Sequence, residues 1–410
     1  MNIYLLIIIV FLILSSLIEF IADYLNVKNM SNVLPKEFEG YYDGEKYKKS
    51  QNYLKDKTKF SFISSSFVLV TGLVFILAGG FNFVDKFARS FGYSEIISGM
   101  IFISVLMLVL NIIKIPFSAY NTFIIEEKYG FNKTTIKTFI SDIIKNNLLL
   151  LLIGLPIFAV IVWFFMEFAG MAWVYASITV IFFELLFTFV APVLIMPLFN
   201  KYIPLEDGEL KTELENYATR ENFKMKGLFK MDGSKRSTKS NAFFTGFGKF
   251  RRIVLFDTLI AKHTTQELVS VLAHEMGHYK KGHIKKFMIM SFVNTMLIFF
   301  VLSFFIGNVS LFEAFSMEYI SVYGSLVFFG FLYTPISMIL SIIQNSVSRK
   351  YEYESDRYAV ETYKKPEAMI EALKKLSVDN LSNLTPHKFK VFLEYSHPPV
   401  LERIKAIKNI

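Results

Sequence analysis

Seven stretches of this chain are long and apolar enough to cross a bilayer, and they limit what it can fold into. A hydrocarbon core about 30 Å thick needs about 20 mostly apolar residues per helix. The first stretch, "IYLLIIIVFLILSSLIEFIA", runs from Ile3 to Ala22. Six more lie near 60–82, 96–113, 147–167, 172–196, 287–306 and 320–343. No basic segment precedes the first and no small-residue cleavage site follows it, so it reads as a retained helix and not a signal peptide. Pro116 is expected to kink or end the third span, and Pro192 and Pro197 to bend or break the fifth. Composition agrees: 53% hydrophobic residues, with 45 Phe in 410, exceeds what a soluble domain of this length carries.

Charge placement orients the spans. Residues 23–59 carry eight Lys and residues 126–145 carry four, whereas the opposite side offers only Lys86 and Arg89 in residues 83–95. Twelve against two puts the N-terminus outside and the C-terminus inside. The net charge of +9 is then a matter of topology, and nucleic-acid binding is not expected. The chain has no cysteine, which excludes disulfides, iron–sulfur clusters and thiol catalysis. Residues 1–196 read as helices one to five with their loops, and residues 287–343 as a helical hairpin of spans six and seven. Two polar segments, 197–286 and 344–410, fall on the inner side and are expected to assemble into one domain cut by that hairpin.

Four of the six histidines lie between 263 and 283, in and around "LAHEMGHYKKGH" (272–283). Residues 264–280 predict a helix: Thr264 and Glu267 fit a capping box, and Gly282 is a plausible stop. On it His274 and His278 are one turn apart on one face, so both imidazoles can share a tetrahedral metal. Glu275 is rotated by about 100° and can act on a metal-activated water. His283, past the helix stop, is given a supporting structural role. A catalytic zinc needs a third protein ligand. "SRKYEYESDRYAVETY" (348–363) should be helical and puts Glu352 and Asp356 on one face, with Arg349 a turn earlier; spacing alone does not say which acid is the ligand and which orients a histidine. Glu354 falls on another face. In "EYSHPPVLERIKAI" (394–407), His397 precedes two prolines and Arg403 lies in the following helix, and both are candidate donors to a developing oxyanion. "NAFFT" and "RRIVLF", separated by Gly246 and Gly248, predict a hairpin whose exposed edge can pair with an extended peptide.

Together, "EEKYGFN" (126–132), "PLFNKYIPLEDGEL" (197–210), "KRSTKSNAFFTGF" (235–247), "HEMGHYKKGH" (274–283), "SRKYEYESD" (348–356) and "YSHPPVLER" (395–403) resemble the integral-membrane type I CAAX prenyl endoprotease family. The resemblance implies an all-α polytopic membrane protein: seven helices ring a water-filled chamber, and a zincin-type metalloprotease domain carries a small sheet. It implies His274, His278 and Glu352 as ligands of one zinc ion, Glu275 as general base, and Asp356 as the residue orienting a ligand histidine. His397 and Arg403 would face the scissile carbonyl, and Asn241 and Ala242 would lie on the substrate-pairing strand. Glu184, a charge inside span five, would then face the chamber or pair with a polar group of another helix. Tyr279 stands where many relatives carry Trp.

The function expected is therefore zinc-dependent hydrolysis of prenylated CAAX-type or other membrane-associated peptides by a monomer in the bilayer of a bacterial inner membrane or the endoplasmic reticulum. General membrane-protein quality control without prenyl dependence is the alternative. A metal transporter would place ionisable groups along several spans, and an inactive scaffold would have lost a motif residue; neither pattern is present.

Overall fold

The computed structural model describes residues 2–246 and 251–410, so Gly248 of the expected hairpin turn lies outside the described residues. Seven helical stretches have the length and apolarity to cross a membrane: Ile3–Lys28, Gly44–Leu77, Glu95–Glu126, Ile136–Glu167, Ala169–Leu198, His283–Ser303 and Val322–Tyr363. Rows of exposed leucine, isoleucine and valine run along them, including Ile13, Leu17, Val74, Leu77, Leu194, Ile289 and Val293. Such surface is stable only against lipid. Polytopic membrane architecture is thus common to sequence and structure.

The regular elements follow in chain order. On the membrane side are α1 (Ile3–Lys28), α2 (Gly44–Leu77), α3 (Gly80–Arg89), α4 (Glu95–Tyr120), α5 (Ile136–Leu149), α6 (Leu155–Glu167) and α7 (Ala172–Val190). Then come β1 (Tyr202–Pro204), α8 (Glu209–Arg220), β2 (Gly227–Met231), β3 (Ala242–Thr245), β4 (Arg252–Phe256), α9 (Asp257–Ile260) and α10 (Thr265–Lys280). The hairpin of α11 (His283–Ser303) and α13 (Val322–Tyr363) encloses α12 (Val309–Ala314), and α14 (Pro366–Asp379), α15 (Lys388–Glu394) and α16 (Val400–Lys408) close the chain.

Several helices run past the membrane. Pro116 lies inside α4 and does not end it; the chain continues as a π-helix over Asn121–Glu126. The fifth span does break at its prolines, changing to π-helix at Ala191–Ile195 and a 3-10 turn at Met196–Leu198. The lysine-rich stretch before span two is helical from Gly44, not loop. Most consequential is α13. Its 42 residues extend about 63 Å at 1.5 Å per residue, twice the hydrocarbon thickness. Its second half therefore emerges from the bilayer as the same rigid rod.

The loops that follow α1 and α4 pack with the C-terminal helices. One core joins Phe38, Tyr42, Tyr47, Tyr53, Tyr129 and Phe131 to Met369, Leu373, Ile404 and Ile407. Asn26 Oδ1 accepts from the His387 backbone N–H, and the Asn29 amide donates to the Thr385 carbonyl. At the opposite end of the spans, buried Asp85 accepts from Arg89 and from the Tyr323 hydroxyl and ties α3 to α13. Between α1, α2, α4 and α13 lies a cavity of about 1090 Å³, walled by Leu12, Leu69, Leu106, Leu110 and Phe331, with Ser15, Glu19 and Lys114 also on its lining. Glu184 is half-buried and accepts from Thr295 Oγ1 (2.8 Å) and Ser291 Oγ (3.1 Å) on α11.

The sheet has the order β1-β2-β4-β3. The expected hairpin is present as the antiparallel pair β3/β4, with Ala242 opposite Leu255 and Thr245 opposite Arg252. The parallel pair β2/β4 and the short strand β1 were not read from sequence. Leu228, Ile253 and Leu255 meet Leu268, Leu272 and Met276 of α10 in a second core, against which Ala242 and Phe244 also pack. This places β3, an edge strand, alongside the histidine-bearing helix.

Candidate active site and metal centre

Helix α10 is fixed before any ligand is considered. Thr264 Oγ1 accepts from the Glu267 N–H and Glu267 reaches back to the Thr264 N–H, so the capping box forms as its spacing predicts. Lys375 of α14 anchors the same Glu267 at 2.7 Å. Residues Leu268–Ala273 are buried, so the helix has little freedom to rotate.

Gly277 then sets how closely α13 approaches. A Cβ there would stand 2.9 Å from Ser355 Cα and 3.1 Å from the Ser355 carbonyl oxygen. Only a residue without a side chain lets the two backbones come this near, and the closeness brings Glu352 and Asp356 onto the histidine face.

The two carboxylates separate in role by where they sit. Glu352 Oε1 lies 3.2 Å from His278 Nε2, and its Oε2 3.4 Å from His274 Nε2. The two Nε2 atoms are 3.2 Å apart, and candidate donor atoms of His274, His278 and Glu352 all fall within 4.8 Å of one another. Asp356 is instead behind His274, with Oδ1 2.8 Å from Nδ1. Arg403 clamps Asp356 from α16, Nε to Oδ2 at 2.8 Å and Nη2 to Oδ1 at 2.6 Å. Its Nη1 stands 3.3 Å from Glu352 Oε2. Such a two-pronged buried pair holds both ends in one geometry.

The donor set fits a metal. Glu352 is 3% exposed, yet its Oε2 is buried and receives no hydrogen bond among the described residues. His274 gives its Nδ1–H to Asp356, which leaves the Nε2 lone pair aimed at the same spot. Arg403 Nη1 is an ion-pair neighbour of that oxygen at 3.3 Å but makes no hydrogen bond to it, and an oxygen and two nitrogens facing one point fit a shared metal cation. Burial alone would push the His274 imidazolium down, but the Asp356 and Glu352 carboxylates overcome it and lift it to about 10. The pocket thus favours positive charge strongly, and a divalent ion meets that demand with lone pairs intact.

The remaining expected residues fall at three distances from this centre. Glu275 is on the same helix and partly open, and nothing among the described residues hydrogen-bonds its carboxylate. Burial pushes its carboxyl up, with His274 and His278 opposing. His397 is 64% exposed at the side chain, with Nε2 3.5 Å from Glu352 Oε1 and Nδ1 3.0 Å from Ser396 Oγ. Arg349 does not join the carboxylates: it donates to the Val391 and Tyr395 carbonyls, bracing the segment that leads to His397. Arg403 is buried, and two of its nitrogens are spent on Asp356. Ala242 begins the edge strand β3 and Asn241 immediately precedes it, its Oδ1 accepting from the Ala242 N–H. His283, expected only to support the structure, contacts the back of His278, and Glu354 in turn contacts His283; the concentration of four histidines within 263–283 was the signal for the first.

Known proteins resemble this chain over nearly its whole length. Residues 23–201 match the family model described as CAAX prenyl protease N-terminal, five membrane helices, and residues 204–410 match that of peptidase family M48. The chain belongs to peptidase family M48. A probable CAAX prenyl protease 1 of Schizosaccharomyces pombe is 38% identical over 383 residues, covering 90% of this chain and 80% of the relative. A CAAX prenyl protease 1 homolog of Oryza sativa subsp. japonica is 35% identical, over 92% of this chain and 90% of its own length. The crystal structure of S. mikatae Ste24p superposes with a TM-score of 0.94 at 35% identity, over 98% of this chain and 99% of that one. The chain is an integral-membrane metalloendopeptidase of the CAAX prenyl protease type, with seven helices forming the chamber fold.

Proposed function

We propose that this enzyme cleaves prenylated CAAX-type peptides in extended form, with zinc held by His274, His278 and Glu352. The observation that carries the reading is the buried Glu352 oxygen without a hydrogen bond, facing two Nε2 atoms 3.2 Å apart. Zinc held there would supply a Lewis acid for the scissile carbonyl and a bound water of pKa near 7. Glu275, one residue from a ligand and otherwise unbonded, takes the proton of the attacking water and returns it to the leaving amine. His397 is exposed, with Nε2 3.5 Å from Glu352 Oε1, and is placed to donate to the oxyanion. Arg403 acts mainly through Asp356, holding the carboxylate that orients His274, and presents only Nη1 toward the reacting side. A peptide adding to β3 would pair at Asn241 and Ala242, along the edge beside α10.

The relatives' names supply the prenyl substrate class, and the apolar cavity between α1, α2, α4 and α13 is consistent with a lipidated one. The twelve-against-two charge count supports catalytic segments on the cytoplasmic side, since the lysine-rich segments, including the start of α2, pack with the C-terminal helices. We divide the chain into membrane helices (1–196 and 287–343) and a peptidase unit in two halves (197–286 and 344–410), and take the monomer as the working form. The test compares a farnesylated peptide with its unfarnesylated twin by mass spectrometry of the products. Cleavage of the farnesylated peptide at least about tenfold faster is expected; equal rates would remove the prenyl requirement while leaving the peptidase intact.

A further inference from the structure

His278 has a partner that the His274–Asp356 pair does not explain. Gly282 takes a left-handed conformation, φ +72°, and lets α10 turn directly into α11. His283 is thereby the first residue of α11 and folds back under His278. It is fully buried, with Nδ1 3.2 Å from His278 Nδ1 and Nε2 3.0 Å from Glu354 Oε2. Its ring lies flat on Tyr351, centroids 4.0 Å apart and planes within 5°. Ser355 Oγ is a more distant neighbour of the same Nδ1, at 3.5 Å.

The proton count in this row has one solution if His278 offers Nε2 to a metal. His278 Nδ1 must then carry a hydrogen, so His283 Nδ1 must accept it. His283 consequently bears its own hydrogen on Nε2 and gives it to Glu354. The row ends on a carboxylate, as the shorter His274–Asp356 pair does. One helix, α13, thus supplies the ligand at 352, the anchor of one histidine at 356, and the terminal acceptor for the other at 354. Tyr351 keeps the middle ring from tilting.

We infer that His283 and Glu354 are positioning residues for the metal, fixing the tautomer and ring plane of His278 through a histidine–histidine–glutamate row. The inference rests on the metal assignment proposed above. His283 is fully buried and Glu354 contacts it, so both act through His278.

The full-length protein in detergent is stripped, and zinc affinity is measured by chelator competition for wild type, His283→Phe, His283→Asn and Glu354→Gln. Phe keeps the stack on Tyr351 but cannot accept; Asn puts an acceptor oxygen near the lost Nδ1. Expected losses are about 10–100-fold for Phe, with Asn recovering much of it, and a smaller loss for Glu354→Gln. Melting temperatures of the metal-free proteins should stay close together, because the row acts on the bound state. His283→Phe or Glu354→Gln with wild-type affinity would overturn the inference and leave the metal assignment standing. So would Asn and Phe losing affinity equally, which marks a packing role only. A wild-type protein that binds no zinc would overturn both. Should Phe fail to fold, the exposed-side Glu354→Gln and the Asn variant decide the question.

Discussion

Replacing Gly277 by alanine tests the claim that backbone proximity assembles the site. In isolation the change should help, since alanine is favoured over glycine in a helix interior by about 1 kcal/mol. Here the new methyl would lie 2.9 Å from Ser355 Cα and 3.1 Å from its carbonyl oxygen. Both obstacles are backbone, so no rotamer relieves them. Reaching an ordinary carbon–carbon separation of about 3.5 Å requires α13 to retreat by about 0.6 Å. Glu352 is three residues from Ser355 on that rod and moves with it, whereas zinc sites tolerate only about 0.2 Å in ligand distance. Overpacking of this kind costs about 1–3 kcal/mol. Zinc affinity of Gly277→Ala should fall about 10–100-fold, as for other losses of ligand support, and peptidase kcat/KM should fall with it. Chelator competition and peptide cleavage on the same preparation check both. Adding Ser355→Gly removes only a 3.2 Å contact with the Ser355 Cβ, leaves the two backbone clashes, and should restore little. Wild-type zinc affinity in Gly277→Ala would refute the reasoning.

Two further outcomes follow from the same geometry. Asp356→Asn keeps the shape but strips the buried Arg403 of its carboxylate; breaking a buried pair costs about 3–5 kcal/mol, so a clear drop in melting temperature and weaker zinc binding are expected together. The metal-free enzyme should lose stability as pH rises: His274 goes from 6.5 unfolded to about 10 folded, so its contribution is full below pH 6.5 and gone above about 10. Melting scans between pH 6.5 and 10 check this, and zinc affinity should climb over the same range as the competing proton is removed.

Much of the site was legible because its core is local. His274, Glu275 and His278 share one helix turn, and a 3.6-residue period suffices to put the imidazoles on one face. The seven spans were legible for a similar reason, since a bilayer demands long apolar runs. Their ends were less so. The lysine-rich start of α2 looks like loop to a hydropathy reading, yet its tyrosines bury themselves against the C-terminal helices. Glu352 and Asp356 were found as a pair but not told apart by spacing, because that depends on the depth at which α13 crosses α10, set by Gly277 and Ser355. Arg349 sits on the expected helix but is taken by backbone carbonyls of a segment 42 and 46 residues away. His283 and Glu354 needed the turn at Gly282 and a contact across 71 residues, which no periodicity reports.

The most direct test of the account is turnover by Glu275→Gln under zinc loading. Purified wild-type and variant proteins are brought to one zinc ion per chain, confirmed by elemental analysis, and given a farnesylated CAAX peptide. The account predicts equal zinc content and a loss of cleavage of about 100- to 10,000-fold in the variant, the range for removal of a general base. Equal cleavage by the two proteins would contradict it.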